Sequence, residues 1–435
     1  MRKFAMDLSP LKKYPDFRYL WASGFISYFG SMVTYVAAPF QIKELTNSYL
    51  AVGLLGAIEL IPLIFFGLYG GVLADYVDRK KMIWAAEFGA LICTSILLIN
   101  SLLGEPKIWV IYVVTGLFAA VDGLQRPSAN AILPRLVSHG DLPAASALMT
   151  LRWQLGVIIG PTIGGILIST FSISVGYAFD IATFVLSLLL LLKVGNVPSS
   201  KDAQKPSLAS LWEGVQYAFG RPDLLGTYFI DLTAMFFAFP NALFPFWADQ
   251  LGVPWALGLF YAAGTVGAVA ITLTSKWTTT YRFHGRAVIW GALGWGAAIA
   301  LAGISNSLIL VLIFLAAAGA ADMVSALFRG NIWNQTIPDE YRGRLAGIEL
   351  LSYSVGPLAG QMRAAGMASV TSLSISVTSG GIICMAIVGI LGIFMVKFRK
   401  YDVETNEFAM AQRLKREKAA SEGEFPENDG NIGKN

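Results

Sequence analysis

Long apolar blocks alternate with short polar breaks along this chain, and the blocks are of similar length. Cutting at clusters of charged residues, Pro and Gly leaves twelve of them, at about 17–40, 50–74, 82–103, 108–128, 144–169, 173–193, 223–248, 254–275, 287–304, 308–330, 344–367 and 374–396. Each holds close to the roughly 20 apolar residues that a helix needs to cross a bilayer. Most are apolar on every side, the pattern of helices bundled in lipid. Barrel strands would be about half as long and would alternate polar with apolar positions. The pattern predicts an all-α membrane protein with twelve transmembrane helices.

Composition supports this. The 435 residues are 55% hydrophobic and 14% charged, against about 25% charged in soluble proteins. One soluble core does not grow large enough to hide that much apolar surface. The net charge of +4 is small and scattered, which argues against a nucleic-acid partner. The basic residues instead choose sides. Arg2, Lys3, Lys12, Lys13 and Arg18 precede span one, and every second loop is basic: Arg79–Lys81, Arg135, Lys193 to Arg221, then Lys276, Arg282 and Arg286, then Arg342 and Arg344. The tail opens with Lys397, Arg399 and Lys400, while the alternate loops hold only Lys43 and Lys107. Both termini are expected in the cytoplasm, with the chain threaded many times through the cell membrane. The basic start is followed by no short apolar core with a cleavage site, so no removable signal peptide is expected.

The longest loop between spans divides them six and six. The expected organisation is a six-helix bundle over 1–193, a cytoplasmic linker over 194–222, a second six-helix bundle over 223–396, and a partly disordered cytoplasmic tail over 397–435. Within the linker, Leu208, Leu211, Trp212, Val215 and Phe219 share one helical face, which suits a short helix lying in the membrane interface; a plain loop is the alternative. An internal echo relates the halves. "RPSANAILP" follows span four and "RGNIWNQTIP" follows span ten; span five carries "GPTIGG" and span eleven "GPLAG". Repeated halves around a midplane site are typical of secondary transporters.

The stretch "GGVLADYVDRKK" (Gly70 to Lys81) joins spans two and three. Gly71 allows another helix to come close. Asp75 suits a nearby helix N-terminus, where dipole and free N–H groups favour an anion. Arg79 and Lys80 hold the turn at the inner face. Such a charged latch can form in one conformation and break in another; the alternative is that it only marks topology.

These residues resemble the major facilitator superfamily. "GGVLADYVDRKK" is similar to that superfamily's loop signature, and "GVIIGPTIGG" on span five to its exporter-associated motif. "LQRPSANAILPRLV" followed by "LPAASALMTLRWQLGVIIGPTIGGIL" resembles the enterobactin-exporter and macrolide-efflux branch. Tyr76 stands where the signature commonly has a cation, and Asp78 where it commonly has glycine. The resemblance covers spans one to twelve. It implies alternating access, export of small molecules and coupling to protons.

Charges inside the membrane cost roughly 2.5–3.5 kcal/mol each on insertion scales and therefore mark candidate sites. At 1.5 Å per residue, Glu59 lies about 14 Å into span two, and Arg152 and Asp231 about 12 Å into spans five and seven. A carboxyl in low dielectric can bind and release a proton as its access to water changes. Glu59 and Asp231 are the expected coupling groups. Arg152 is expected to pair with one of them or to hold an anionic substrate; permanent structural ion pairs are the alternative. Asp122 and Arg126 sit at i,i+4 on span four and can satisfy each other, with Asp322 and Arg329 comparably placed on span ten. Glu87, Asp180 and Glu349 read as solvated or structural.

Gly156, Gly160, Gly164 and Gly165 give span five a smooth face, and Pro161 frees a carbonyl and favours a bend. Gly356, Pro357 and Gly360 offer the same in span eleven. Spans one and seven are rich in aromatics, and the resemblance implies that they line a cavity. Tyr28, Phe29, Tyr35, Phe236 and Phe237 are the candidate substrate contacts, suited to a bulky aromatic or amphipathic compound.

No phosphate loop of the form GxxxxGK[ST] occurs, so no ATP chemistry is expected. His139 and His284 fall in expected cytoplasmic loops, and Cys93 and Cys384 inside apolar runs. No cofactor, metal or enzymatic activity is expected. The partners are a small-molecule substrate, protons and the lipid bilayer, and a monomer is expected. The leading reading is proton-coupled export of siderophores or lipophilic drugs such as macrolides. The alternatives are a metabolite importer of the same fold and a non-transporting membrane sensor.

Overall fold

The computed structural model describes residues 7–195, 213 and 216–421. Among them run twelve long helices and no strand: α1 Pro15–Thr46, α2 Tyr49–Tyr76, α3 Arg79–Ser101, α4 Ile108–Leu136, α5 Leu142–Thr170, α6 Ile173–Leu191, α7 Pro222–Ala238, α8 Leu257–Leu273, α9 His284–Ile304, α10 Leu308–Thr336, α11 Asp339–Val370 and α12 Leu373–Phe394. These correspond to the twelve expected spans. Among the described residues ten spans are long and apolar enough to cross a membrane, α7 being counted on through Gln250 and α8 from Pro254. The other two, α1 and α11, are richer in small polar residues and are wrapped by apolar neighbours. α1 lies against α5, α6, α2 and α4, and α11 against α2, α7 and α12.

Local chemistry sets the helix ends. Pro15 and Pro222 open α1 and α7, where a missing N–H costs nothing. Asn47 closes α1 in the left-handed region at φ 47°, a conformation asparagine tolerates. The side chains of Ser172 and Ser372 cap α6 and α12 by accepting from the N–H groups of Val175 and Ile375. Asp78 does the same for α3, accepting from the Lys81 N–H at 3.2 Å. The aspartate in the usual glycine position therefore has a structural task as an N-cap.

Span seven departs from the expected single helix over 223–248. α7 stops at Ala238, Phe239 is extended, and a 3₁₀ turn at Asn241–Leu243 leads into a second helical piece, Phe244–Gln250. Pro240 causes this: it has no N–H to donate and pushes the residue before it out of the helical region. Pro245 then restarts the helix near its first position.

The helices pack mainly within two sets. In the first, α1 lies on α5 and α6, α2 on α4, and α3 on α4 and α6; in the second, α9 lies on α10 and α12, α8 on α10, and α7 on α11 and α12. Between the sets the main contacts are α2 with α11 and α5 with α8. They gather toward the end holding the α1–α2 turn, here called distal, opposite the end from which both termini emerge. A Cβ on Gly165 would stand 2.4 Å from the Gly258 nitrogen, and one on Gly56 2.4 Å from the Leu358 oxygen, so backbones touch at both crossings. Further out, Lys43 pairs with Asp249, Tyr35 meets Tyr261 edge-on at 5.5 Å, and Tyr49 packs on Phe246 at 4.3 Å.

The start of the tail folds back on the second set. Phe398 and Tyr401 are buried, and a further helix, α13 Glu407–Ser421, follows. Arg282 binds Asp402 and Glu404, and the Arg221 guanidinium lies 3.4 Å from the Phe408 ring centre. His284, expected in a loop, instead begins α9 and is buried between Phe328 and Tyr401. Most of the expected interfacial helix (Leu208, Leu211, Trp212 and Val215) and the tail beyond residue 421 lie outside the described residues.

Candidate functional site

The glycine motif of α5 works on two faces. Added Cβ atoms would meet the Tyr28 ring at 2.4 Å from Gly156, Met32 at 2.5 Å from Gly160 and Val33 at 3.0 Å from Gly164. These three form an i,i+4 ladder that seats α5 on α1. Gly165 faces the other set, and the carbonyl of Pro161 would stand 2.1 Å from a Cβ on Gly258. The helix runs on through Pro161. In the second set, Gly356 and Gly360 seat α11 on α7 at Met235, at 2.7 Å from its Cβ and 2.3 Å from its carbonyl; Pro357 lies between them, again inside a continuous helix. The matching contacts align Met32 with Met235. One turn earlier, Tyr28 of α1 therefore aligns with Asp231 of α7.

The ionised groups of the two sets are organised differently. Asp231 and Arg329, 4% and 3% exposed, form a buried ion pair between α7 and α10. Asp322, two turns earlier on the same face of α10, reaches the same guanidinium at 3.6 Å. The expected Asp322–Arg329 pair is present, but Asp231 is held by Arg329 and not by Arg152, so Asp231 is no lone carboxylate. In the first set, Asp122 and Arg126 bind each other along α4 at 2.7 Å, both more than one-third exposed. Glu59, half-buried in α2, has no hydrogen bond or ion pair among the described residues, and neither has Arg152. The Arg152 guanidinium reaches across to α1, where a Cβ on Gly24 would stand 2.1 Å from its Nη1. Tyr28 lies within electrostatic reach of Asp122, Arg126 and Arg152, and Glu59 within reach of Asp122 and Tyr35. Glu59, Tyr28, Arg152 and the Asp122–Arg126 pair therefore share one neighbourhood among α1, α2, α4 and α5.

Two carboxylates that the sequence marked as solvated or structural are fully enclosed. Glu87 accepts from Ser27 at 2.9 Å and Gln125 at 3.1 Å through one oxygen, and from Ser187 at 3.1 Å through the other. Asp180, 0% exposed, is ringed by the hydroxyls of Thr34, Thr94 and Thr183. Their donors, small hydroxyls and the Gln125 amide, are spread over several helices in otherwise apolar runs, a signal easily passed over in sequence. Arg363 of α11 went unremarked as an intramembrane charge. Its Nε is buried without a hydrogen bond, and its head lies beside Gly380. Glu349 lies in α11, but its side chain is outside the described residues.

At the α2–α3 turn, Gly71 and Asp75 lie in the last turns of α2, and the Asp75 side chain is outside the described residues. Arg79 is buried, and the Lys80 ammonium donates to the Val194 carbonyl at the end of the first set. Of the aromatic candidates, Tyr28 faces the charged neighbourhood. Tyr35 stands at the distal seam, where Asn241 donates to its hydroxyl at 3.4 Å. Phe29 packs instead on Phe25 and, edge-on, on Phe179 of α6. Phe236 and Phe237 meet edge-on at 4.9 Å.

Comparison with known proteins gives a consistent picture. A family model described as transmembrane secretion effector matches residues 5–425. The enterobactin exporter EntS of Shigella boydii serotype 18 is 30% identical over 406 residues, covering 92% of this chain and 96% of that protein. The EntS protein of Escherichia coli O81 matches to the same extent. Among solved structures, the nucleoside transporter NupG superposes with a TM-score of 0.68 at 14% identity, covering 88% of this chain and 98% of that one. A bacterial homologue of the human lysosomal transporter Spinster, inward-facing and unoccupied, superposes with a TM-score of 0.67 at 15% identity, covering 94% and 98%.

Proposed function

We propose, for a chain that belongs to the transmembrane secretion effector family of major facilitator transporters, that it exports siderophores or lipophilic drugs such as macrolides in exchange for protons. Its relatives and its fold are those of multi-pass membrane transporters and not of enzymes.

One observation carries the coupling reading. Among the described residues, Glu59 is the intramembrane carboxylate without a partner, whereas Glu87, Asp122, Asp180, Asp231 and Asp322 each have one. A partnerless carboxylate in low dielectric favours a bound proton and releases it when water reaches it. Glu59 is the proton site in this reading. Asp231, held by Arg329, is the weaker candidate.

Alternating access supplies the change in exposure. Backbone-to-backbone crossings at the distal end, with the Lys43–Asp249 pair outside them, suit a seam that opens as the two six-helix sets rock about their crossings. The Asp78-capped turn with Arg79 and Lys80 is the corresponding latch at the other end. Both termini face the cytoplasm in this reading, because the basic loops lie at their end of the bundle. The substrate passes between the sets, beside Tyr28 and Arg152. The likeness to EntS supports a siderophore as cargo, and the alignment across nearly the whole of both chains supports the same direction of movement.

Accumulation of a labelled siderophore and of a macrolide, in cells with and without the protein and with and without a proton gradient, tests this reading. The expected result is lower retention in cells that carry the protein, abolished when the gradient collapses. Equal retention in both strains defeats export of those compounds. Glu59→Gln is expected to abolish gradient-driven export while leaving folded protein in the membrane; export that survives the substitution removes Glu59 from the coupling role.

A further inference from the structure

We propose that Arg152 is a seat for an anionic group on an aromatic ligand, and that Glu87 is the fixed counter-charge that keeps this seat open. The ligand's identity as cargo rests on the export reading above; its binding does not.

A guanidinium inside a membrane is costly unless an opposite charge offsets it. The carboxylate acting on Arg152 is Glu87 of α3, yet the two form no ion pair. Glu87 is tethered on both oxygens by neutral donors from α1, α4 and α6, namely Ser27, Gln125 and Ser187. It offsets the cationic charge from a fixed position and leaves the N–H groups of Arg152 unused. A guanidinium offers five donors in a planar fork matched to carboxylate, phenolate, sulfonate or phosphate oxygens.

The surroundings fit such a ligand. Gly24 leaves α1 bare where the guanidinium lies. Tyr28, one turn further along α1, lies within reach of Arg152 of α5 and of the Asp122–Arg126 pair of α4. The pair on α4 neutralises itself along its own helix and so does not compete for the anion. A ring beside an uncommitted cation suits an anion carried on a flat apolar body. Charge selection at this point disfavours a cationic group in the seat itself.

The full-length protein in lipid nanodiscs, titrated by fluorescence anisotropy with anionic fluorescein and with cationic rhodamine 123, separates these features. The two dyes share a ring system and differ in charge; empty nanodiscs supply the background. The wild-type chain is expected to bind fluorescein the more tightly. Arg152→Gln is expected to weaken fluorescein about tenfold or more, the loss of a charged hydrogen-bonded contact, and to leave rhodamine 123 unchanged. Gly24→Ala displaces the guanidinium head without removing it and weakens fluorescein as well, while Arg152→Lys retains part of the affinity. Glu87→Gln keeps the side-chain shape, removes the counter-charge and tightens fluorescein binding. Equal fluorescein affinity in wild type and Arg152→Gln overturns the proposal, as does a wild-type preference for the cation. If both dyes weaken together, Arg152 is structural. Intact binding without transport counts against export and leaves the seat standing.

Discussion

In the amino-terminal set Arg126 finds its carboxylate on its own helix, whereas in the carboxy-terminal set Arg329 finds one across the bundle. The difference traces to one aligned position. Where α1 has Tyr28, α7 has Asp231, and the glycine ladders of α5 and α11 hold both at the same register. A carboxylate there draws Arg329 inward into a pair only 3–4% exposed. A phenol there leaves Arg126 to Asp122, with both groups partly exposed. Related scaffolds thus give a closed, structural charge cluster in one half and an open polar neighbourhood in the other, where Glu59 and Arg152 stand uncommitted.

This contrast can be broken at its strong side first. Asp231→Asn leaves Arg329 buried with only the more distant Asp322, and is expected to destabilise the protein by about 3–5 kcal/mol, the cost of breaking a buried pair by removing one partner. Thermal unfolding in detergent reads this directly. A shift no larger than that of a surface substitution would mean that the pair is not buried as described.

The weak side should behave otherwise. Asp122→Asn removes a partly exposed i,i+4 pair and is expected to cost less than about 1 kcal/mol. Comparing the two melting shifts in one preparation sharpens the contrast, because the same chemistry is removed in both. Comparable losses would place the halves on an equal footing.

The smallest effect is at the tail, outside the membrane. The Arg282 guanidinium holds the Asp402 carboxyl below its ordinary value of 3.8. A depressed carboxyl stabilises above its unfolded value and loses that contribution as pH falls through its folded one, so the clasp is complete at neutral pH and loosens only below about pH 4. Hydrogen exchange over residues 396–421 should be flat from pH 7 to about pH 5 after correction for intrinsic rates, and Asp402→Asn should raise it at neutral pH. A tail that exchanges equally fast in both proteins has no such clasp.

Much of the fold was legible because membrane helices are written in runs of composition. The twelve helices follow from the lengths of the apolar runs along the chain. The glycine motifs were legible as small-residue faces, though not which neighbour each face meets: Gly164 and Gly165 are adjacent in sequence and serve different halves. The break in span seven was signalled by Pro240, but apolar residues on both sides concealed it. The candidate charges were named from sequence, yet their pairing was not. Asp231 and Arg329 are far apart along the chain, and the three hydroxyls around Asp180 come from three different helices.

Sequence by itself determined that this chain dissolves in a bilayer as helices, because backbone groups in lipid must be satisfied within each segment and apolar length alone decides what can span. It also marked most of the ionisable groups on the membrane helices, Arg363 being missed. Only the tertiary structure decided which of them are free to act. Whether a buried charge is neutralised depends on contacts of a few ångströms between separate helices, and those distances are set by packing, here by glycines that let α5 meet α1 and α11 meet α7.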